Sequence, residues 1–213
     1  MASVGLLFVG AVLFINGVML LGWIDAKSAA PMNFFVGGLQ IITPLYLIFT
    51  ANGDADVILA ASGLFLFSFT YLYVAVNLTW DLDGTGLGYF CLFVAITAVV
   101  FSALNFFRFA DPAFGVIWLY WAFLWSLFFV LLGRKRDGIG RYTGAVCAIQ
   151  GWVTAWIPAF LLLTGVYTQI GVPLAIGLAI FGVVVFLALI PWARRQPAPA
   201  APAARSGDHA AVA

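Results

Sequence analysis

Apolar residues along this chain gather in seven blocks, each close to the roughly 20 residues a helix needs to cross a bilayer. The blocks are Val4–Trp23, Pro31–Ala51, Val57–Thr79, Leu87–Phe107, Pro112–Gly133, Thr143–Val166 and Gly171–Trp192. None alternates apolar with polar residues as a membrane barrel strand does. The pattern predicts an all-α integral membrane protein of seven transmembrane helices.

Polar residues act as punctuation between the blocks. Asp111-Pro112 reads as an N-cap followed by proline at the first helical position, and Asp54 or Asp56 can cap the third helix. Pro44 and Pro158 fall inside blocks, where each removes a backbone hydrogen bond and frees a carbonyl that must face protein or water. The leader Met1-Ala2-Ser3 has no positive side chain, so the first block reads as a mature helix rather than a signal peptide. Three turns carry an aspartate ahead of a Gly-rich and aromatic-rich helix, at Asp25, Asp83 and Asp137. That spacing suggests three stacked hairpins, first with second, third with fourth and fifth with sixth, and the seventh helix as an appendage.

Composition agrees with lipid as the main solvent. The 213 residues are 65% hydrophobic and 8% charged, with a mean hydropathy of +1.12, whereas an ordinary soluble domain is about 45–50% apolar and about 25% charged. A soluble enzyme and a disordered chain are excluded, and a net charge of +1 offers nothing to nucleic acid. Cys91 and Cys147 lie in apolar blocks without CxxC spacing, the single histidine is His209, and glutamate is absent. A protein-ligated haem, zinc or di-iron centre has no ligand set here, so no cofactor is expected. Eight of the nine basic residues (Lys27, Arg134, Lys135, Arg136, Arg141, Arg194, Arg195 and Arg205) fall on one side of the membrane, and Arg108 alone on the other. The positive-inside rule then places the N-terminus outside and the C-terminus in the cytoplasm.

Between the interfaces the blocks hold no Asp, Lys, Arg or His. Ion-coupled carriers and proton pumps keep ionisable groups at depth, which leaves a passive path for something small and neutral, or no path at all. Neutral polar residues do occur there: Asn16, Asn33, Gln40, Ser68, Thr70, Asn77, Asn105, Ser126, Gln150 and Thr154. Each serves either as interhelical glue or as a fixed donor or acceptor along a path. At 100° per residue, Trp118, Trp121 and Trp125 share one face of the fifth helix, with Tyr120 on the other side. Phe69 and Tyr73 stand i and i+4 on the third. Leu6, Val9, Leu13 and Asn16 form a stripe on the first. Such stripes serve packing as readily as a filter.

The segments Asn33–Leu39 (NFFVGGL), Phe69–Asn77 (FTYLYVAVN), Trp118–Trp125 (WLYWAFLW) and Thr154–Ala159 (TAWIPA) resemble, in order, those of the AmiS/UreI family of urea and short-chain amide channels. The resemblance runs over roughly residues 4–166 and is nearer the family's amide branch. It implies a six-helix channel bundle over residues 1–168; the last apolar block stands beyond it as an additional seventh helix over 169–193, and the Pro/Ala-rich composition of 194–213 reads as a disordered cytoplasmic tail. The resemblance also implies a homohexamer in a bacterial inner membrane, each subunit with its own pore and lipid filling the ring centre. Phe69 and Tyr73 would form a constriction against Trp118, Trp121 and Trp125. Leu6, Val9, Leu13 and Asn16 would line the first helix's share of the pore. At Gln150 the family's urea channels carry a glutamate assigned to the pore, so the neutral amide is a departure.

The expected function is therefore passive conduction of small neutral planar amides (acetamide, formamide, urea) through an aromatic filter, feeding a cytoplasmic amidase or urease. In that filter the Tyr73 hydroxyl and the tryptophan indole N–H groups would meet the solute. The chain is not expected to be an enzyme, since no nucleophile–base pair is available in the spans. Two other readings stay open at this point, a proton-gated urea channel and a non-transporting membrane scaffold or receptor. The first lacks its usual sensor, because the outward loops have no histidine.

Overall fold

The computed structural model describes residues 2–195, and these form seven membrane-length helices. They are α1 (Ala2–Leu20), α2 (Ala26–Thr50), α3 (Ala55–Trp80), α4 (Thr85–Phe107), α5 (Pro112–Gly133), α6 (Asp137–Leu163) and α7 (Gly171–Arg195). Among the described residues there is no strand. The Pro/Ala-rich tail expected from residue 194 lies outside the described residues beyond Arg195, as does Arg205. The face carrying the start of α1 is called here the N-face, and the opposite one the C-face.

Local chemistry sets the ends. Asp54 accepts from the backbone N–H of Asp56 and Val57, and Asp111 from that of Phe114, with Pro112 at the first helical position. Two helices start five or more residues earlier than their apolar blocks. α2 begins at Ala26 and runs through Pro31, because the carbonyl that proline leaves without a donor belongs to the first turn, within reach of water. α6 begins at Asp137 because the stretch Asp137–Ile139 coils into a 3-10 turn that feeds straight into the helix. Two stretches widen to π geometry, Phe129–Gly133 at the end of α5 and Gly151–Trp156 within α6.

The helices pair as α2 with α3, α4 with α5, and α6 with α1. This corrects the expected hairpins by one helix, since α3 barely touches α4 and α5 barely touches α6. Small residues decide the pairing by letting backbones approach. A Cβ on Gly17 would lie 2.4 Å from the Ala148 nitrogen, one on Gly10 2.7 Å from the Gly151 oxygen, and one on Gly88 against the Gly133 backbone. One short side chain ties each pair across its seam. Ser68 Oγ donates to the Gly37 carbonyl (2.9 Å), Ser102 Oγ to the Gly115 carbonyl (2.7 Å) and Cys147 Sγ to the Leu13 carbonyl (3.2 Å).

Between pairs, Asn16 and Asn33 exchange two side-chain hydrogen bonds (2.9 and 2.7 Å), joining α1 to α2. Exposed ion pairs staple the turns: Lys27–Asp81 (3.0 Å) and Lys135–Asp83 (2.9 Å) on the C-face, Arg108–Asp56 (2.6 Å) on the N-face. Each is worth at most about 1 kcal/mol, so they set turn geometry more than stability.

α7 stands outside this ring, against α5 and α6. It buries only Ala175, Leu178 and Gly182. Tyr120, on the face of α5 away from the tryptophans as its spacing requires, donates its hydroxyl to the Leu178 carbonyl. Gly182 makes room for that ring, since a Cβ there would sit 2.6 Å from the hydroxyl.

Candidate functional site

Two internal cavities lie end to end within the ring of α1 to α6. The C-face cavity, about 360 Å³, is lined by Leu13 and Asn16 of α1, Tyr71 and Asn77 of α3, and Trp125 of α5, with Asp81 at its mouth. The N-face cavity, about 390 Å³, is lined by Leu6 and Val9 of α1, Gln40 of α2, Asn105 of α4 and Trp118 of α5. Phe67 and Trp121 line both and so form the wall between them.

That wall is an aromatic fan. The Phe67 ring stands 4.7 Å from Trp121 (81° between planes), 4.9 Å from Trp125 (64°) and 5.8 Å from Trp118 (60°). Trp118 in turn stacks on Phe101 at 4.7 Å and 18°. Edge-to-face and offset contacts of this kind add about 0.5–1.5 kcal/mol per pair beyond area burial, so the rings hold one another in place.

Trp121 is also fixed by hydrogen bonds. Its indole N–H donates to Thr154 Oγ1 (3.0 Å), and the Thr154 hydroxyl donates to the Gln150 carbonyl (2.7 Å). The indole expected to meet a solute is thus occupied, and Trp121 offers its ring instead. Thr154→Val is expected to leave a buried indole N–H unpaired at a cost of about 1–3 kcal/mol. A thermal midpoint several degrees lower in detergent would register that loss; an unchanged midpoint would mean Trp121 does not depend on this bond.

The third helix presents a different face from the one expected. Phe69 is 51% exposed and stacks on Phe65, and Tyr73 is 37% exposed with its hydroxyl beside Gly86. Neither reaches the tryptophans. Phe67 and Tyr71, each 2% exposed, take that place. The physical reason is that Ser68 and Ala75, the small residues of this helix, turn inward against neighbouring helices and carry Phe67 and Tyr71 in with them.

Gln150 is likewise placed away from both cavities. It is fully buried behind α5, donating through Nε2 to the Tyr120 carbonyl (3.0 Å). Leu6, Val9, Leu13, Asn16, Trp118, Trp121 and Trp125 all line one cavity or both. The neutral polar residues thus divide. Asn33, Ser68, Ser126, Gln150 and Thr154 make bonds within or between helices and line neither cavity. Asn16, Thr70 and Asn77 line the C-face cavity and Gln40 and Asn105 the N-face cavity, with Asn16, Thr70 and Asn105 also bonded to Asn33, Leu66 and Phe101. The Tyr71 hydroxyl, both polar atoms of the Asn77 amide and Gln40 Oε1 have no hydrogen-bond partner among the described residues.

Known proteins are similar to this chain over most of its length. A family model described as the AmiS/UreI family transporter matches residues 1–166. The chain belongs to the AmiS/UreI family. A Mycolicibacterium smegmatis protein named an amidate substrates transporter is 52% identical over 199 residues, 93% of each chain. The acid-activated urea channel of Helicobacter pylori is 36% identical over 193 residues, 76% of this chain and 97% of that one. The crystal structure of the Helicobacter pylori urea channel superposes with a TM-score of 0.69 at 36% identity, again over 76% of this chain and 97% of that one.

AmiS/UreI proteins are transporters rather than enzymes, and this chain is a multi-pass membrane protein of that kind. Both cavities and their wall lie in α1 to α6, and every residue lining them falls within the matched residues 1–166. The family match ends before α7.

Proposed function

We propose that this protein is a passive, uncoupled channel for small, neutral, planar amides, with acetamide, formamide and urea as the solute class. The observation that carries the reading is the pair of cavities divided by the Phe67–Trp121 wall, with neutral polar groups on either side and no ionisable carboxylate or amine along the wall. Moving an amide out of water without replacement hydrogen bonds costs about 4–8 kcal/mol on a cyclohexane reference. Asn77 and Tyr71 on one side, and Gln40 and Asn105 on the other, offer replacements up to the wall. At the wall itself the ring faces of Phe67, Trp121 and Trp125 provide flat surfaces that a planar solute can slide between, with weak N–H···π contacts. An ion would cross the same wall without counter-charge, which is the barrier that excludes it.

Seven of the eight basic side chains among the described residues lie on the C-face, which supports a cytoplasmic C-face and an N-face turned outward. The assembly we favour is a six-membered ring in a bacterial inner membrane, each subunit carrying its own path and lipid filling the centre. Solute delivered this way would feed a cytoplasmic amidase or urease.

The channel is expected to be open regardless of pH between 5 and 7.5. Hydrogen bonds from Thr85 and Lys135 hold the Asp83 carboxyl, at the C-face turn, well below the usual carboxylate range. A lowered value means these contacts are intact above the ordinary carboxylate pKa of about 3.9 and are lost only as pH falls below it. The single histidine, His209, lies outside the described residues. Stopped-flow uptake of acetamide and urea into proteoliposomes at both pH values should therefore be fast and equal. Uptake at pH 5 alone would establish a proton-gated channel instead, and no flux above empty liposomes would leave a scaffold.

A further inference from the structure

A third concavity lies outside the ring, between α5 and α7, with a volume of about 800 Å³. Its walls are apolar: Leu119, Phe123 and Leu127 from α5, and Val183, Leu187 and Ile190 from α7. Tyr120 and Phe186 form its floor, their rings 5.2 Å apart. At the C-face it ends on Gly138 and Ile139 of the α5–α6 turn and on Arg194 of α7. Along α7 the lining runs from Ala179 to Arg194, which at 1.5 Å per residue is roughly 22 Å. Half of a hydrocarbon core about 30 Å thick, with the adjoining headgroup layer, has that depth. The groove therefore occupies one leaflet, the one at the C-face.

Charge at its mouth is one-sided. Lys27 and Lys135 on this face are paired with Asp81 and Asp83, and Arg141 lies over the Trp192 ring at 5.5 Å. Arg134, Arg136, Arg194 and Arg195 have no ion pair among the described residues. Arg136 precedes the groove-lining Gly138 by two positions, and Arg195 follows Arg194. Asp137 is the acid of that turn, one carboxylate beside the four arginines that have no ion pair.

We propose that this groove is a binding site for one anionic phospholipid. An acyl chain lies along the apolar walls and the phosphate sits among Arg194, Arg195 and Arg136. Basic clefts between transmembrane helices at a headgroup layer select anionic lipid in this way. A second copy of the chain is the poorer occupant, because a rotationally related partner would bring its own unpaired arginines to the same layer. The inference is independent of what the channel conducts.

The test uses the full chain, purified in detergent and transferred to nanodiscs of phosphatidylcholine with a small fraction of phosphatidylglycerol. Native mass spectrometry of the ejected protein is expected to show phosphatidylglycerol retained about tenfold over its share of the bilayer, by the attraction of several cations. The triple variant Arg136→Gln, Arg194→Gln, Arg195→Gln should bind both lipids alike while keeping its elution profile and thermal midpoint in detergent. Val183→Trp, which fills the groove and keeps the arginines, should lose retained lipid of either kind. Glycerol 3-phosphate without acyl chains should not bind. Equal retention of the two lipids by wild type, or undiminished preference in the triple variant, would overturn the proposal. So would Leu187→Cys cross-linking between subunits across the groove.

Discussion

Replacing Gly17 with leucine is expected to leave no folded channel. The first atoms a side chain at Gly17 would meet are the backbone nitrogen, Cβ and Cα of Ala148, at 2.4 to 2.7 Å, and backbone cannot swing aside as the tip of a long side chain can. Ordinary overpacking of a core costs about 1–3 kcal/mol because neighbours find other rotamers. Here the whole of α6 would have to move off α1, breaking the Cys147–Leu13 bond and opening the C-face cavity that Leu13, Asn16 and Cys147 line together. Gly10→Leu should do the same seven residues away, against the Gly151 backbone. The contrasting substitution is Gly38→Ala, in the middle of α2, where an added Cβ has nothing within 4 Å. There the gain in helix propensity, up to about 1 kcal/mol, should leave stability unchanged or raised. Size-exclusion profiles and thermal midpoints of the three variants decide the matter. A wild-type profile for Gly17→Leu would show that α1 and α6 do not meet in this register.

That seam illustrates what the sequence carries and what it conceals. Seven apolar blocks of bilayer length made the helices legible, and Asp54 and Asp111 marked two of the starts. Pairing was harder, because each inner helix has a chain neighbour at both ends, α1 packs on a helix distant in the chain, and an aspartate-bearing turn does not say which partner is chosen. The spacing that does say so is Gly10 and Gly17 on α1 against Gly151 and Gly144 on α6, equal intervals running in opposite directions. The tryptophan face of α5 was legible because three large rings at one helical phase have few places to go. The phase of α3 was not. Phe65, Phe67, Phe69, Tyr71 and Tyr73 fall on every second residue, so they circle a helix instead of marking a side. Lipid accepts aromatics as readily as a protein interior does, so hydrophobicity is silent as well. The usable signal was the small residues, Ser68 and Ala75, since in a membrane it is small and polar groups that turn toward other helices. For Gln150, nothing in the spacing separates a residue lining a path from one bonded behind its wall.

The same rotation of α3 yields the sharpest functional expectation, a contrast between two phenylalanines two residues apart. Phe67→Ala removes the ring that Trp118, Trp121 and Trp125 all touch and merges the two cavities that Phe67 divides. Amides too bulky for the closed fan, such as butyramide, should then pass. Their flux relative to acetamide should rise about tenfold, equivalent to about 1.4 kcal/mol of barrier. Stability should fall by about 3–5 kcal/mol, the usual cost of truncating a buried phenylalanine, so the ratio of two solutes through the same preparation is the reliable readout. Phe69→Ala removes a ring that is half exposed on the outer face of α3 and should leave that ratio at its wild-type value. Trp125→Ala, on the far side of the fan, should behave like Phe67→Ala, because Phe67 rests on it at 4.9 Å. If Phe69→Ala changed the ratio and Phe67→Ala did not, α3 would be turned the other way in the working channel and the dividing wall would have to be built from the outer-face rings. The measurement therefore tests the phase of one helix and the location of the filter together, since the two cannot be changed independently.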